Sequence, residues 1–245
     1  MPLLLKMQST YLKKKLKLHY KLGILTLLIA MGCSVHKQTF VQPTSNHTIN
    51  ATQAEDKHIN ELITPYKTGM SEAMNEIIGF CPAFLEKQKP TSILGSFMAE
   101  ATYQAAVSTG ERVDFCLLNY GGIRSTLDSG NITVGEVFQI MPFENEIAIL
   151  TVSKAQMDTI FQIIEAKGGE PFVNHLWKDQ TAYHIMNRTS YRIATNDYMA
   201  NGGDNYTILT RALERIDTGI KIRDGLMTYI RANNPLPLEY TPSKR

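Results

Sequence analysis

Eleven consecutive uncharged residues, LGILTLLIAMG at 22–32, stand behind six lysines (Lys6, Lys13, Lys14, Lys15, Lys17 and Lys21) with no acid among them. The run is too short to cross a bilayer, which takes about 20 apolar residues. It has the size of the apolar core of an export signal. Residues 1–33 are therefore set apart from the fold. Setting them apart also changes the charge of the remaining chain. The whole chain has 25 Lys+Arg and 23 Asp+Glu; setting the six lysines aside leaves 19 basic against 23 acidic residues, a net charge of −4. A domain of that charge exerts no general pull on polyanions, so nucleic acid is not expected as a partner.

Cys33 closes the apolar run behind the small residues Ala30 and Gly32. A basic start, a short apolar run and a small-residue-then-Cys ending resemble a bacterial lipoprotein signal. The resemblance implies that Cys33 becomes the lipid-bearing first residue of the mature protein. The chain would then be extracytoplasmic, tied to a bacterial membrane in the periplasm or at the cell surface. A plain signal peptide or a retained anchor is the other reading. Residues 34–54 are polar and rich in Thr, Ser and Asn, as a flexible tether is. Residues 55–245 then form one domain, long enough to bury a sizeable core. Its two cysteines, Cys81 and Cys116, read either as a bridge or as small buried hydrophobes.

Helical and strand patterns mix within that domain. Ile59, Leu62, Ile63, Tyr66, Met70 and Met74 recur at helical spacing over 55–74, with Pro65 predicting a kink or a split. Residues 91–107 read as a buried, Ala-rich helix behind a Thr or Ser cap. VDFCLLN at 113–119 reads as a buried strand ending at a glycine pair. Thr133 and Glu136 make a capping box for a short helix, and Ser153 with Gln156 makes a second behind the strand IAILTVS at 147–153. Gly168 and Gly169 stop the helix that the second box opens. Short strands are expected near Tyr183–Met186 and Tyr191–Thr195, and a last helix over 220–234 with Pro235 just beyond. The expected fold is α+β, with helices against an open, mixed and largely antiparallel sheet rather than a regular βαβ array.

Several chemistries lack their residues. His19, His36, His47, His58, His175 and His184 form no H-x-H, D-x-H or H-E-x-x-H pattern, so no metal-ligand cluster is legible. There is neither a G-x-S-x-G nucleophile turn nor a phosphate-cradling G-x-x-x-x-G-K-[ST] loop. Two other stretches do carry recognition chemistry. In NYGGIRSTL, Asn119 offers a donor and an acceptor together, Gly121 and Gly122 let backbone come close, and Arg124 presents a rigid donor fork. In YMANGGDNYT, Asp204 follows Gly202 and Gly203 and can only accept, which suits a vicinal diol, while Tyr198 offers a flat face. Phe143 in MPFEN follows Pro142 at a turn, outside any core stripe. Singly, each of these reads as a turn glycine pair, a surface Arg or a core Phe.

In order along the chain, NYGGIR, GNITVGEVFQIMPFENEI and YRIATNDYMANGGDNYTIL resemble the C-terminal domain of the 5'-nucleotidase family, from about Glu55 to Asn233. The resemblance implies a substrate-specificity domain. Phe143 and Tyr198 would sandwich a nucleobase, Asn119 would touch the base, Arg124 would reach the ribose and phosphate side, and Asp204 would hold the ribose hydroxyls. A second family Arg before the helix at 92 is missing; the segment EKQKPTSILG offers Lys87 or Lys89 as point charges instead. The family's metallophosphatase motifs do not occur in these 245 residues. No cofactor is therefore expected in this chain, and divalent metal ions are expected on a separate metallophosphatase chain acting on the same nucleotide or nucleoside. The other class of reading is a non-catalytic lipoprotein that binds nucleosides or serves as an interaction module.

Overall fold

A computed structural model describes residues 56–174 and 188–239, together with Lys17, His19 and Tyr20. Cys33, His175, His184 and the strand expected near Tyr183–Met186 lie outside the described residues. Helix α1 (Lys57–Met74) opens on Asp56, whose carboxylate accepts the N–H groups of His58 and Ile59 at 2.9 and 3.1 Å. Pro65 sits within α1 without splitting it. Strand β1 (Ile77–Cys81) pairs antiparallel with β3 (Gly130–Thr133) as a separate two-stranded ribbon.

The main sheet has five strands in the order β5-β2-β6-β4-β7. They are β2 (Phe115–Leu117), β4 (Glu146–Ser153), β5 (Phe172–Asn174), β6 (Ser190–Asn196) and β7 (Glu214–Lys221). Only β2 and β6 run parallel; the other neighbours are antiparallel. The α+β fold with a mixed, largely antiparallel sheet is as expected. The helices, however, cover both of its faces, because alternate residues of β4 are apolar on both sides. Ile147 and Ile149 face Phe97 and Met98 of α2 (Ile93–Val107) and Leu226 and Ile230 of α6 (Ile222–Ala232). Ala148, Leu150 and Val152 face Met157 and Ile160 of α4 (Lys154–Ala166). Gly225 lets α6 lie close on α2, since a Cβ there would stand 2.8 Å from that of Ala105.

Both capping boxes form. Thr133 and Glu136 open α3 (Val134–Ile140), and Ser153 and Gln156 open α4, each satisfying two helix-end N–H groups reciprocally. Ser92 caps α2, and Gly168, at φ 74°, follows the end of α4 as a left-handed stop. Cys81 and Cys116 are separate free thiols, both buried. The last helix starts two residues later than its periodicity suggests, because Ile220 and Lys221 finish β7.

Candidate functional site

The topology collects the singled-out residues at one end of the sheet. Because β2 and β6 are parallel neighbours, the loops leaving them, which begin at Asn119 and Asn196, emerge side by side. Ile147 of β4 pairs with Asn196 in antiparallel register, so the MPFEN turn that enters β4 reaches the same end. Lys221, at the end of β7, pairs with Glu146 and brings the start of α6 there as well. Glu170 arrives just before β5, two residues from Phe172, which pairs with Leu117. A crevice beyond the carboxyl ends of parallel strands is where open sheets place ligands.

Asn119 and Asp204 join the two glycine-pair loops. Asn119 Nδ2 donates to Asp204 Oδ2 at 2.6 Å, and Asn119 Oδ1 accepts from Asn196 Nδ2 at 3.0 Å. Asn119 is buried, so the amide expected to read a ligand spends one donor and one acceptor inside the protein. It retains one N–H. Asn196 also caps α5 (Asp197–Ala200) by accepting the Met199 N–H at 2.7 Å. Its dual use is not legible in the sequence.

The Tyr198 hydroxyl donates to Asp204 Oδ1 at 3.0 Å and accepts the Asp204 N–H at 3.2 Å. Asp204 is thus held on both oxygens, with a lone pair left on each. Its backbone is left-handed at φ 51°, and Asn205 follows at φ 66°. Such strain in a non-glycine residue persists where the surroundings fix it, and it concentrates at ligand clamps. The two glycines before it serve different ends. Gly202 supplies φ 89°, whereas Gly203 supplies room: a Cβ there would fall 2.5 Å from the Tyr198 ring. In the other loop, a Cβ on Gly121 would stand 3.1 Å from Asn119 Nδ2 and 3.3 Å from Asp204 Oδ2. The Gly121–Gly122 pair therefore makes space for the amide and carboxylate that cross it.

Phe143 stands on the neighbouring turn, 41% exposed, while Tyr198 is 47% exposed. The Arg124 guanidinium lies 5.8 Å from the centre of the Phe143 ring and donates to the Gly121 carbonyl at 3.4 Å. Both aromatic loops are anchored from behind. Asn145 Nδ2 donates to Asp197 Oδ1 at 2.6 Å, which ties the Phe143 turn to the helix that carries Tyr198. Buried Arg223 donates to the carbonyls of Met141 and Phe143, pairs with Glu144 and lies 3.8 Å over the Phe138 ring. Hydrogen bonds from Lys221 and Arg223 pull the Glu144 carboxyl down to about 2. Asn145 and Asp197 carry no mark in the sequence beyond their places within the motif stretches, and Arg223 lies outside those stretches.

Of the two lysines weighed for the missing Arg, Lys87 Nζ donates to the Ile123 carbonyl at 3.0 Å, one residue from Arg124. Lys89 instead donates to the Lys167 carbonyl at 2.5 Å. Beneath the loop, buried Glu170 accepts the Tyr120 N–H at 2.8 Å and faces Lys167 at 3.7 Å. Burial raises its carboxyl above the usual range, with the Tyr120 N–H, Lys167 and Lys89 opposing. The fully buried Tyr206 hydroxyl has no hydrogen-bond partner among the described residues, and burial raises its pKa strongly. Among the described residues no group of three His, Cys, Asp or Glu side chains is placed to hold a metal ion.

Comparison with known proteins gives one family. Residues 77–181 match the profile described as "5'-nucleotidase, C-terminal domain". The trifunctional nucleotide phosphoesterase protein YfkN of Bacillus subtilis is 26% identical over 212 residues, covering 73% of this chain and 14% of the relative. A 5'-nucleotidase of Vibrio parahaemolyticus is 23% identical, over 77% of this chain and 36% of its own length. A 5'-nucleotidase precursor from Thermus thermophilus superposes with a TM-score of 0.58 at 20% identity, covering 75% of this chain and 42% of that one. NAD nucleotidase from Haemophilus influenzae superposes with a TM-score of 0.53 at 18% identity, covering 75% and 40%. The chain thus spans less than half the length of each of these relatives.

Proposed function

We propose, from the premise that this chain carries a 5'-nucleotidase C-terminal domain, that it binds the nucleoside part of a nucleotide whose phosphate is hydrolysed elsewhere. The observation that carries the proposal is the Asn119–Asp204–Tyr198 hydrogen-bonded set at the end of the sheet. In this reading Tyr198 and Phe143 take the base on their exposed ring faces. Asp204 accepts the ribose hydroxyls on its remaining lone pairs. Arg124, with Lys87 beside it, lies toward the phosphate, and the second N–H of Asn119 is left for a base or sugar oxygen.

In this reading hydrolysis falls to a metallophosphatase domain on a separate chain, as the family resemblance implies. The anchored, extracytoplasmic position expected from residues 1–33 suits scavenging of nucleotides outside the cytoplasm. Among the described residues no helix is long and apolar enough to cross a membrane. Aromatic stacking contributes about 1–3 kcal/mol per base, so the isolated chain binds a nucleoside weakly, with a Kd on the order of 0.1–1 mM.

Calorimetric titration of the chain with adenosine tests this. Heat is expected from the native chain, with at least a several-fold loss of affinity in Tyr198→Ala and in Asp204→Ala. Equal affinity in all three proteins would remove both residues from the site. Turnover of AMP by the chain alone, with Mn²⁺ or Zn²⁺ added, would refute catalysis in trans.

A further inference from the structure

Helix α1 is amphipathic, yet none of its 18 positions is fully buried, and only Asn60 and Met74 are half-buried. Ile59 is 55% exposed, Leu62 63%, Ile63 45%, Tyr66 78% and Met70 61%. A lone helix of this length is marginal in water even without interruption, and α1 also carries Pro65 and an interior glycine, Gly69. Its last turn meets the domain body, where Met74 packs against the core. The remaining stripe is therefore built for a cover.

Its spacing specifies the cover. Ile59, Ile63, Tyr66, Met70 and Ala73 are separated by four, three, four and three residues, the period of a helix-to-helix seam rather than of a flat surface. The charged residues Lys57, Glu61 and Glu72 fall on the opposite face, so the seam is uncharged. Antiparallel seams pair each a position with a d position of the other helix. Run against itself, α1 does this in one register with its four large seam residues, the neighbouring register replacing Ile59 by the small Ala73. Ile59 then faces Met70 of the second copy, Ile63 faces Tyr66, and the same layers repeat by symmetry. Leu62 falls beside Gly69 of the other copy, where the missing side chain admits a knob; nothing among the described residues stands within 4 Å of a Cβ at Gly69. Lys67 falls opposite Asn60, so no like charges meet.

We propose that α1 is a self-association surface, and that two copies of this chain pair through it as an antiparallel helix couple with Ile63 facing Tyr66. Four large layers and two Leu knobs bury roughly 1,000 Å², at the low end for a specific interface, so the dimer is of micromolar rather than nanomolar strength.

The experiment uses the full chain in mild detergent with Cys33→Ser. The other native thiols, Cys81 and Cys116, are buried and unreactive. A mixture of Ile63→Cys and Tyr66→Cys chains should oxidise to a covalent dimer, and so should Ile59→Cys with Met70→Cys. Ile59→Cys alone should give several-fold less, because its two copies lie about 16 Å apart along the pair, beyond the ~7 Å Cα reach of a disulfide. Sedimentation should show a concentration-dependent dimer that Ile63→Glu abolishes while the circular dichroism of the domain is kept. A chain that stays monomeric at tens of micromolar, as it would if residues 1–55 or a different protein cover α1, overturns the proposal. So does crosslinking that ignores register, or a dimer that survives Ile63→Glu.

Discussion

Asn119 donates to Asp204 across 2.6 Å, and this bond joins two loops whose residues stand 85 positions apart in the chain. Asn196 donates to the same Asn119 from the other side, so one buried amide holds three elements together. Hydrogen bonds to a charged group contribute about 1.5–3 kcal/mol, and a buried partner left unsatisfied costs a similar amount. Asn119→Ala is therefore expected to destabilise the domain by about 2 kcal/mol. Asp204→Ala should also destabilise, because an alanine keeps a Cβ at φ 51° and loses the side-chain hydrogen bonds that hold the residue there. In the double variant the losses should fall short of additivity by about 1 kcal/mol, read by denaturant unfolding. Additive losses would show that the two residues do not support each other.

Gly202 and Gly203 should fail differently. Gly202→Ala forces a Cβ into φ 89° and should cost about 1 kcal/mol of stability with little change in the site. Gly203→Ala drives a methyl group into the Tyr198 ring and should displace it, abolishing adenosine heat at a stability cost of about 1–3 kcal/mol. Tyr198→Ala added to Gly203→Ala should recover most of that stability. Failure of the second substitution to restore it would mean that Gly203 is needed for something other than the ring.

How much of this is legible in the sequence depends on how local the cause is. Both capping boxes, the Ser92 cap and the Gly168 stop are decided within a few residues, and each appears where the residues put it. The motif residues do gather in one neighbourhood: Asn119, Gly121, Tyr198, Gly203 and Asp204 touch one another, and Arg124 reaches Phe143. The scaffold behind them is not legible. Arg223 and Asn145 act through strand order, which no local pattern encodes. Strands β1, β3 and β7 escape the sequence reading because they are short or edge-exposed, so their apolar alternation is weak. The Asn119 amide is expected to be open, and only the fold shows that Asn196 and Asp204 occupy it.

Arg223 should matter to the site through the turn it holds. It is buried at the first turn of α6, where the helix dipole disfavours a cation. What it obtains there is the Phe138 ring and the carbonyls of Met141 and Phe143. Arg223→Met keeps the volume but frees the turn, and should weaken adenosine binding several-fold while costing about 1–3 kcal/mol of stability. Arg223→Lys should restore charge without the fork, and so recover stability more than affinity. An unchanged affinity in Arg223→Met would detach the Phe143 turn from binding.

Glu170 sets a pH dependence of a definite sign. Its carboxyl is buried against the Tyr120 N–H and is raised above the ordinary carboxylate range by loss of water. Lys167 and Lys89 oppose that rise and Asp204 adds to it. A folded pKa above the unfolded one means that the native state holds its proton longer. The contribution to stability is therefore fully present below about pH 4.3, the ordinary Glu value, and is lost as pH rises through the folded value. Glu170→Gln keeps an acceptor for the Tyr120 N–H and removes the titration. Its unfolding free energy should change less than that of the native protein between pH 4 and neutrality, and the two curves should separate in favour of the variant as pH rises. The measurement is a series of denaturant melts across that range. Parallel curves would show that Glu170 titrates alike in the folded and unfolded chains, and that the carboxylate under the 119–124 loop carries no linkage to folding.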